Sequence, residues 1–237
     1  LYILYFFFSS KSELQIIPKN FKLDFNIVKE ISKLGGVTLV RQGAISILMI
    51  VLNYSLYKFG GEISIAVYGI INRVMMFALS PVLGVTQGFL PVAGFNIGAE
   101  KNDRVKETIK KSIYFGSLLG TLIFIGIVLF KEQIIWIFTN DATILEKTPN
   151  AMLIAFLVTP IVTMQLIGSA YFQAAGKAMP ALLLTLLKQG IFLIPLAYIL
   201  PIYYGVAGVW WSFPIADTLA TIITVIILKR EVDKNLK

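Results

Sequence analysis

Long apolar runs, separated by short polar and mostly basic segments, are the dominant pattern along this chain. A helix crosses the hydrocarbon core of a bilayer with about 20 mostly apolar residues. Six runs satisfy this length, at residues 34–57, 63 to about 90, 113–130, 152–172, 180–200 and 203–228. The pattern predicts an all-α integral membrane protein, with a six-transmembrane-helix bundle at 34–228 and a tail at 229–237. The apolar run that opens the chain is too short to span, and we interpret residues 1–10 as the end of a preceding transmembrane helix.

Composition supports a membrane protein and excludes several kinds of site. Of the 237 residues, 57% are hydrophobic and 14% are charged, and the mean hydropathy is +0.80. Soluble domains carry about 25% charged residues. The sequence has no His and no Cys. Their absence excludes Ser-His-Asp and Cys-His catalysis, zinc sites built on His or Cys, and disulfides.

Basic residues are distributed asymmetrically between the predicted loops. If the segment before the first span is cytoplasmic, the inner segments hold 15 Lys and Arg and the outer segments hold 3. Cytoplasmic loops of membrane proteins are enriched in these residues. The asymmetry predicts six spans with both ends of the segment cytoplasmic. It also accounts for the net charge of +8 without a nucleic-acid partner.

Four ionisable residues lie inside predicted spans: Arg41, Arg73, Lys188 and Asp217. Each costs roughly 2.5–3.5 kcal/mol at the centre of a membrane helix on insertion scales. Arg41 and Lys188 lie near enough to the cytoplasmic interface to snorkel toward it, whereas Arg73 and Asp217 lie close to the midplane. Asp217 is the only acid in any span, and we predict that it pairs with Lys188 or Arg73.

Uncharged polar residues accompany these charges in the spans. Together they make a set of cavity candidates for substrate or ion: Arg41, Gln42, Asn72, Arg73, Gln165, Lys188, Gln189 and Asp217. Polar groups on an interior face can line a path for an amphiphilic or cationic solute. They can equally form hydrogen bonds between helices, worth around 0.6 kcal/mol each. The sequence leaves both interpretations open.

Prolines fall within four of the six predicted spans: Pro81, Pro91, Pro160, Pro195 and Pro214. Each removes a backbone N–H and tends to kink its helix. Repeated kinks suit a bundle that opens and closes around a cavity, but proline is also commoner in membrane helices generally. We therefore expect bends at these positions and assign no function to any single proline.

Several spaced motifs together resemble one transporter family. The central motif runs from Gly84 to Ala99 and is followed by Arg104. Its proposed structural residues are Gly84, Gln87, Pro91, Gly94, Asn96 and Gly98. The other motifs are Ala66–Ile70 with Asn72-Arg73, Phe138–Asp141, Gln173–Lys177 and Pro214–Asp217. With Arg41-Gln42 and Lys188-Gln189, this set resembles MATE (multidrug and toxic compound extrusion) transporters, most closely the MepA-like bacterial branch.

The resemblance implies a twelve-helix fold of two six-helix lobes, of which this chain is similar to the C-terminal one. Residues 11–33 would be the cytoplasmic inter-lobe linker, and the N-terminal lobe would be the missing partner. The implied activity is secondary active antiport across the bacterial plasma membrane. Organic, often cationic, drug-like compounds leave in exchange for H⁺ or Na⁺, with no cofactor beyond that coupling ion.

Two other functions remain as alternatives. One is a lipid-linked sugar flippase of the same wider superfamily, whose cationic cavity Arg41, Arg73 and Lys188 would supply. The other is a non-transporting membrane scaffold, against which the polar residues inside spans argue. An enzyme is not expected, because the chain has no P-loop motif and no paired carboxylates within spans.

Overall fold

The computed structural model describes residues 24–236, with side chains described at 24, 25, 28 and 39–236. The chain divides into two units, Leu1–Val40 and Arg41–Lys237. The packing and the candidate site below lie within the second unit. All regular secondary structure in the described residues is helical, and the elements follow in chain order. They are α1 (Phe25–Ala78), α2 (Ser80–Gly98), α3 (Asn102–Trp136), α4 (Ala142–Phe156), α5 (Thr159–Ala174), α6 (Ala178–Leu186), a π-helix (Leu187–Leu193), α7 (Ile194–Tyr204) and α8 (Val206–Asn235).

Helix α1 folds back on itself at Gly61. This glycine has φ 68° and ψ −168°, a conformation outside the helical region. The Tyr68 hydroxyl donates a hydrogen bond to Met49 Sδ at 3.5 Å. A continuous helix would hold residues 19 positions apart about 28 Å from each other. The contact therefore requires a chain reversal, which separates the first predicted span from the second.

The number of spans follows from length, hydropathy and this reversal. Four helical segments in the described residues are long and apolar enough to cross a membrane, or five if the bent pair α4 and α5 counts as one. The first of the four, Leu39–Ala78, is divided at Gly61. Its second part continues toward α2, because Leu79 N–H bonds the Met75 carbonyl at 3.0 Å and Leu83 N–H bonds the Leu79 carbonyl at 3.0 Å. Divided this way, the helices group into the six apolar segments that the sequence predicts.

Irregularities occur beside three of the five prolines for which bends were expected, whereas Pro91 and Pro214 lie inside helices α2 and α8 that continue past them. Pro160 occupies the first turn of α5, and α4 and α5 bend by 45° where they meet. Pro81 occupies the first turn of α2, just after the break at Leu79. Pro195 occupies the first turn of α7, immediately after the π-helix. Each of these prolines lacks the N–H that would continue the helical ladder.

The helix boundaries differ from the predicted apolar runs in several places, and the linker, the tail and the last span show this. Helix α1 begins at Phe25, so residues 25–33 of the predicted linker are helical. Helix α8 runs to Asn235, so most of the predicted tail is helical too. The last span begins at Val206, because Gly205, with φ 57°, interrupts the chain at the predicted start. The predicted helix end at residues 1–10 lies outside the described residues.

Helix α5 lies at the centre of the packing and contacts α2, α3, α6 and α8. Small residues allow these close approaches, as is usual between membrane helices. A Cβ built at Gly120 of α3 would lie 2.6 Å from the Thr159 carbonyl oxygen of α5. A Cβ built at Gly168 of α5 would lie 2.3 Å from Thr224 Cγ2 of α8. The helix triplet α3, α5 and α8 therefore depends on glycine at both crossings.

Candidate functional site

A buried ion pair joins the π-helix to α8. Lys188 Nζ lies 2.6 Å from Asp217 Oδ1, and the two side chains are 24% and 8% exposed. The predicted pairing of Asp217 is confirmed, and of its two proposed partners the structure selects Lys188. The pair compensates two charges that would each be costly alone at membrane depth.

The backbone around Lys188 is unusual. Residues Leu187–Leu193 form a π-helix, in which hydrogen bonds run to the fifth residue and one turn is widened. Such segments occur frequently at functional sites. Gly190 supplies no side chain within the segment, and Pro195 lacks the N–H that would continue an ordinary α-helical ladder. The widened turn is the local structure that carries Lys188 and Gln189.

Two further polar atoms are buried in the segments that carry the pair. Gln189 Oε1 and Thr221 Oγ1 have no hydrogen-bond partner among the described residues. Thr221 follows Asp217 by four residues and therefore shares its face of α8. A buried polar atom without a partner costs about 1–3 kcal/mol. Both atoms are able to accept a hydrogen bond from a solute that reaches this region.

The remaining cavity candidates are not brought to the pair by a described contact. Arg41 and Gln42 are exposed on α1. Arg73 is exposed as well, and no described carboxylate lies within ion-pair distance of it. Asn72 is half-buried, whereas Gln165 is 5% exposed in the central helix α5. The structure thus brings Lys188 into contact with Asp217, and no described contact joins the other candidates to this pair.

The six proposed structural residues of the central motif all lie on α2 and divide between two faces. Asn96 is buried and donates a hydrogen bond from Nδ2 to the Val92 carbonyl at 2.8 Å. Gly94 is half-buried near the Ala174 carbonyl. The other four residues, Gly84, Gln87, Pro91 and Gly98, are exposed at helical spacing, and we call them the motif face.

Glycine on the motif face is not explained by packing within the chain. A Cβ added at Gly84 or at Gly98 would meet no described atom within 4 Å. The neighbouring Gly88 is equally free of contacts. Glycines that do not pack against other parts of the chain leave room for another helix to approach closely. The motif face is therefore a smooth exposed strip on α2.

A second ion pair lies outside the predicted spans. Lys177 Nζ of the α5–α6 turn donates a hydrogen bond to Glu231 Oε1 of α8, and Asn235 Nδ2 donates to the same oxygen at 2.7 Å. Partial burial, the largest single effect, raises the pKa of Glu231, but the hydrogen bonds and the nearby lysine charges together outweigh it and hold the pKa below its ordinary value. The contact links the α5–α6 turn to α8 through Lys177.

Sequence reasoning missed Thr221 and the π-helix. Thr221 is detectable in principle, because a hydroxyl four residues after a membrane carboxylate shares its helix face. The π-helix has only a weak signal, namely a glycine and a proline near a charged residue. Neither signal identifies a site unless the packing of the neighbouring helix is known.

Comparisons with known proteins agree with this fold. A model of the MatE family matches residues 38–199. The multidrug export protein MepA of Staphylococcus aureus (strain bovine RF122 / ET3-1) is 24% identical over 228 residues, which are 96% of this chain and 50% of that protein. MepA of Staphylococcus saprophyticus is 26% identical over 202 residues, 85% of this chain and 44% of that protein. The chain spans about half the length of the curated relatives it matches.

Solved structures share the same architecture. A multidrug resistance MATE family transporter of the MOP superfamily, in an outward-facing conformation, matches with TM-score 0.85 and 24% identity over 98% of this chain and 52% of that one. An inward-facing structure matches with TM-score 0.86 and 23% identity over 98% of this chain and 54% of that one. At these identities the likeness is one of fold. The family model covers more than half of the chain, which confirms the resemblance found from the motifs: the chain belongs to the MatE family.

Proposed function

We propose that this chain forms one six-helix lobe of a multidrug efflux antiporter. The antiporter exports organic, often cationic compounds in exchange for H⁺ or Na⁺. Membership of the MatE family and the similarity to proteins named multidrug export proteins support this proposal. We infer that the chain corresponds to the C-terminal lobe and works with a second lobe of similar size.

One observation carries the proposal of rocking-lobe transport. An outward-facing and an inward-facing transporter each match 98% of this chain, with TM-scores of 0.85 and 0.86. A lobe that fits both states equally well is expected to move as a rigid body. Alternating access then arises from rocking of one lobe against the other around a central site.

The motif face is the surface on which we place the second lobe. Gly84 and Gly98 have no packing role within the described residues, and they lie on one strip with Gln87 and Pro91. Helices in lipid associate through small residues that let their backbones approach. Gln87 adds a polar side chain to the strip and is suited to contact a solute between the lobes.

The Lys188–Asp217 pair is the element we propose for cation handling in this lobe. An organic cation or a coupling cation that reaches Asp217 competes with the Lys188 ammonium for one carboxylate. The widened turn of the π-helix allows Lys188 to withdraw without breaking a regular helix. The buried acceptor on Thr221 lies on the same face and offers a second polar contact.

A lipid-linked sugar flippase is the second candidate, and one observation disfavours it. Such a protein needs a cationic cavity to hold pyrophosphate. Lys188 is neutralised by Asp217, so only two of the three proposed cations, Arg41 and Arg73, remain unpaired among the described residues. The scaffold hypothesis does not explain why a buried ion pair is retained.

The test uses the full-length gene in an efflux-deficient bacterium. We expect cells that express the protein to accumulate less ethidium than cells carrying an empty vector. The proton and the sodium gradient are then collapsed separately. We expect only one of the two treatments to abolish the difference, and that treatment identifies the coupling ion. Unchanged accumulation across a dye panel, with the protein shown to be inserted in the membrane, would contradict drug export.

A further inference from the structure

A groove between α3 and α5 combines apolar walls with a lysine at one end. Its volume is about 470 Å³. Its walls come from about three turns of α3 and from one methionine of α5. Its lining residues include Lys110, Ile113, Tyr114, Ser117, Leu118 and Met164.

The groove results from the close crossing of α3 and α5. A Cβ built at Gly116 would lie 2.2 Å from Thr163 Cγ2, and one at Gly120 would lie 2.6 Å from the Thr159 carbonyl oxygen. The helices therefore meet along these two glycines, and the larger side chains flanking them form the walls. Tyr114 is 65% exposed and Leu118 is 45% exposed, so the groove opens away from the packed interior.

The charge at one end of the groove is not compensated. Lys106 pairs with Asp103 at 3.8 Å, and Lys111 pairs with Glu107 at 2.7 Å. Lys110 has no carboxylate within ion-pair distance among the residues with described side chains. Lys110 is therefore available to an external anion at this end of the groove.

A second, independent feature lies deeper in the groove. Ser117 Oγ is buried and has no hydrogen-bond partner in the described part of the chain. It follows Lys110 by seven residues, about 10 Å along the helix axis, and lies on the same face. Beyond it, Leu118 and Met164 supply apolar walls. Charge, hydroxyl donor and apolar surface thus follow one another along the helix.

We propose that this groove binds one anionic phospholipid. The lipid phosphate contacts the Lys110 ammonium, an ester carbonyl accepts a hydrogen bond from Ser117, and an acyl chain covers Leu118 and Met164. Basic pockets between membrane helices favour anionic head groups, and apolar walls favour the chain. The site lies on α3 and α5, apart from the Lys188–Asp217 pair, and it does not depend on the proposed transport function.

Native mass spectrometry of the purified full-length protein tests the proposal. The protein is mixed in detergent with phosphatidylglycerol or with phosphatidylcholine of identical acyl chains, and the retained lipid adducts are compared. We expect phosphatidylglycerol to be retained in preference. Lys110→Gln should weaken this retention about fivefold, as expected for one lysine at an anionic surface. Lys111→Gln, which removes the same charge from a neighbouring face, should leave it unchanged.

Two results would overturn the site. One is equal retention of the two lipids, and the other is an equal effect of Lys110→Gln and Lys111→Gln. A further variant, Ser117→Leu, fills the groove and should reduce retention of phosphatidylglycerol while the protein keeps its elution profile; full retention would also refute the proposal. Should this variant fail to fold, the two lysine variants still decide the question, because their side chains are exposed.

Discussion

At the scale of single residues, the charges inside the spans separate into paired and unpaired groups. Asp217 is almost completely buried and lies against Lys188, whereas Arg41 and Arg73 are exposed. An unpaired charge is tolerable at a surface that meets water or another lobe. A buried carboxylate is tolerable only with its partner, so the two kinds of residue should respond differently to mutation.

Removal of either member of the pair should destabilise the protein. We expect Asp217→Asn or Lys188→Gln to reduce the free energy of unfolding by about 3 kcal/mol, the lower end for buried pairs, because Lys188 keeps some exposure. The double variant should be closer to the parent, since no unpaired charge remains. Thermal melting of the purified full-length protein in detergent measures these differences.

Arg73→Gln is the matched control for that series, because Arg73 lies inside a span but has no described carboxylate partner. Its effect on the melting temperature should be small, corresponding to about 0.5 kcal/mol or less. If Asp217→Asn and Arg73→Gln were equally mild, the pair would not contribute to stability.

At the scale of helices, two kinds of glycine perform different tasks. Gly61 has a positive φ and no neighbour near its Cβ position, so it serves the backbone of the turn. Gly120 is helical and meets the α5 backbone, so it serves the contact between helices. Hydropathy predicts the spans at both places but does not distinguish these roles.

Gly120→Ala should be strongly destabilising. The added Cβ would lie 2.6 Å from a backbone oxygen, so α3 and α5 must separate. We expect a loss of roughly 1–3 kcal/mol, as for overpacked cores. Gly126→Ala, on the same helix with no atom within 4 Å of its Cβ position, should be neutral or slightly stabilising. Melting temperatures of the two variants in detergent provide the comparison, and equal values would contradict the close crossing.

Gly61→Ala should weaken the turn between the first two spans. The backbone angles of Gly61, with positive φ and extended ψ, are almost restricted to glycine and cost another residue roughly 1–3 kcal/mol, and no steric clash adds to this cost here. Gly69→Ala in the following helix lacks both penalties and should be neutral or stabilise by less than about 1 kcal/mol. Urea or heat denaturation of both variants tests the difference. A larger loss at Gly69 than at Gly61 would be inconsistent with a reversal at Gly61.

At the scale of the whole molecule, the distribution of basic residues predicts how the chain is oriented across the membrane. The predicted inner segments hold 15 Lys and Arg against 3 in the outer ones. The helices supply the alternation of sides, provided that the chain reverses at Gly61 and that α4 and α5 form one bent span. One span more or fewer would place basic loops on both sides of the membrane and remove the asymmetry.

Cysteine labelling tests the orientation directly, because this chain has no cysteine of its own. We expect Asn140→Cys, in the turn before α4, to react with a membrane-impermeant maleimide added to intact cells. Ala99→Cys, in the turn after α2, should react only after the cells are permeabilised. Both positions are exposed, which makes them matched reporters. Labelling of Ala99→Cys in intact cells would reverse the predicted topology.

Much of the fold was predictable because membrane insertion acts on local sequence. A run of apolar residues identifies a span by itself, and Pro160 marks the bend between α4 and α5. The ends of helices were less accurate, as at Phe25 and Asn235, because a polar helix extends beyond the membrane without any change in hydropathy. The family was identifiable because its motifs keep their spacing.

The candidate site was predictable only in part. The presence of Asp217 in a span implied a cationic partner, since an isolated charge is costly there. The choice between Arg73 and Lys188 was not available from spacing, because it depends on how α8 packs against the π-helix. The motif residues of α2 were recognisable as a pattern, but their exposure was not.

The sequence by itself determined that this is a helical membrane protein with six apolar segments, since the transfer of side chains into lipid depends on composition over one helix length. It also predicted the orientation through its basic loops. Tertiary structure alone decided which cation neutralises Asp217, where α1 reverses, which face of α2 is left open and where α3 and α5 form a groove. These features depend on contacts between residues distant in the chain, and no local pattern records them.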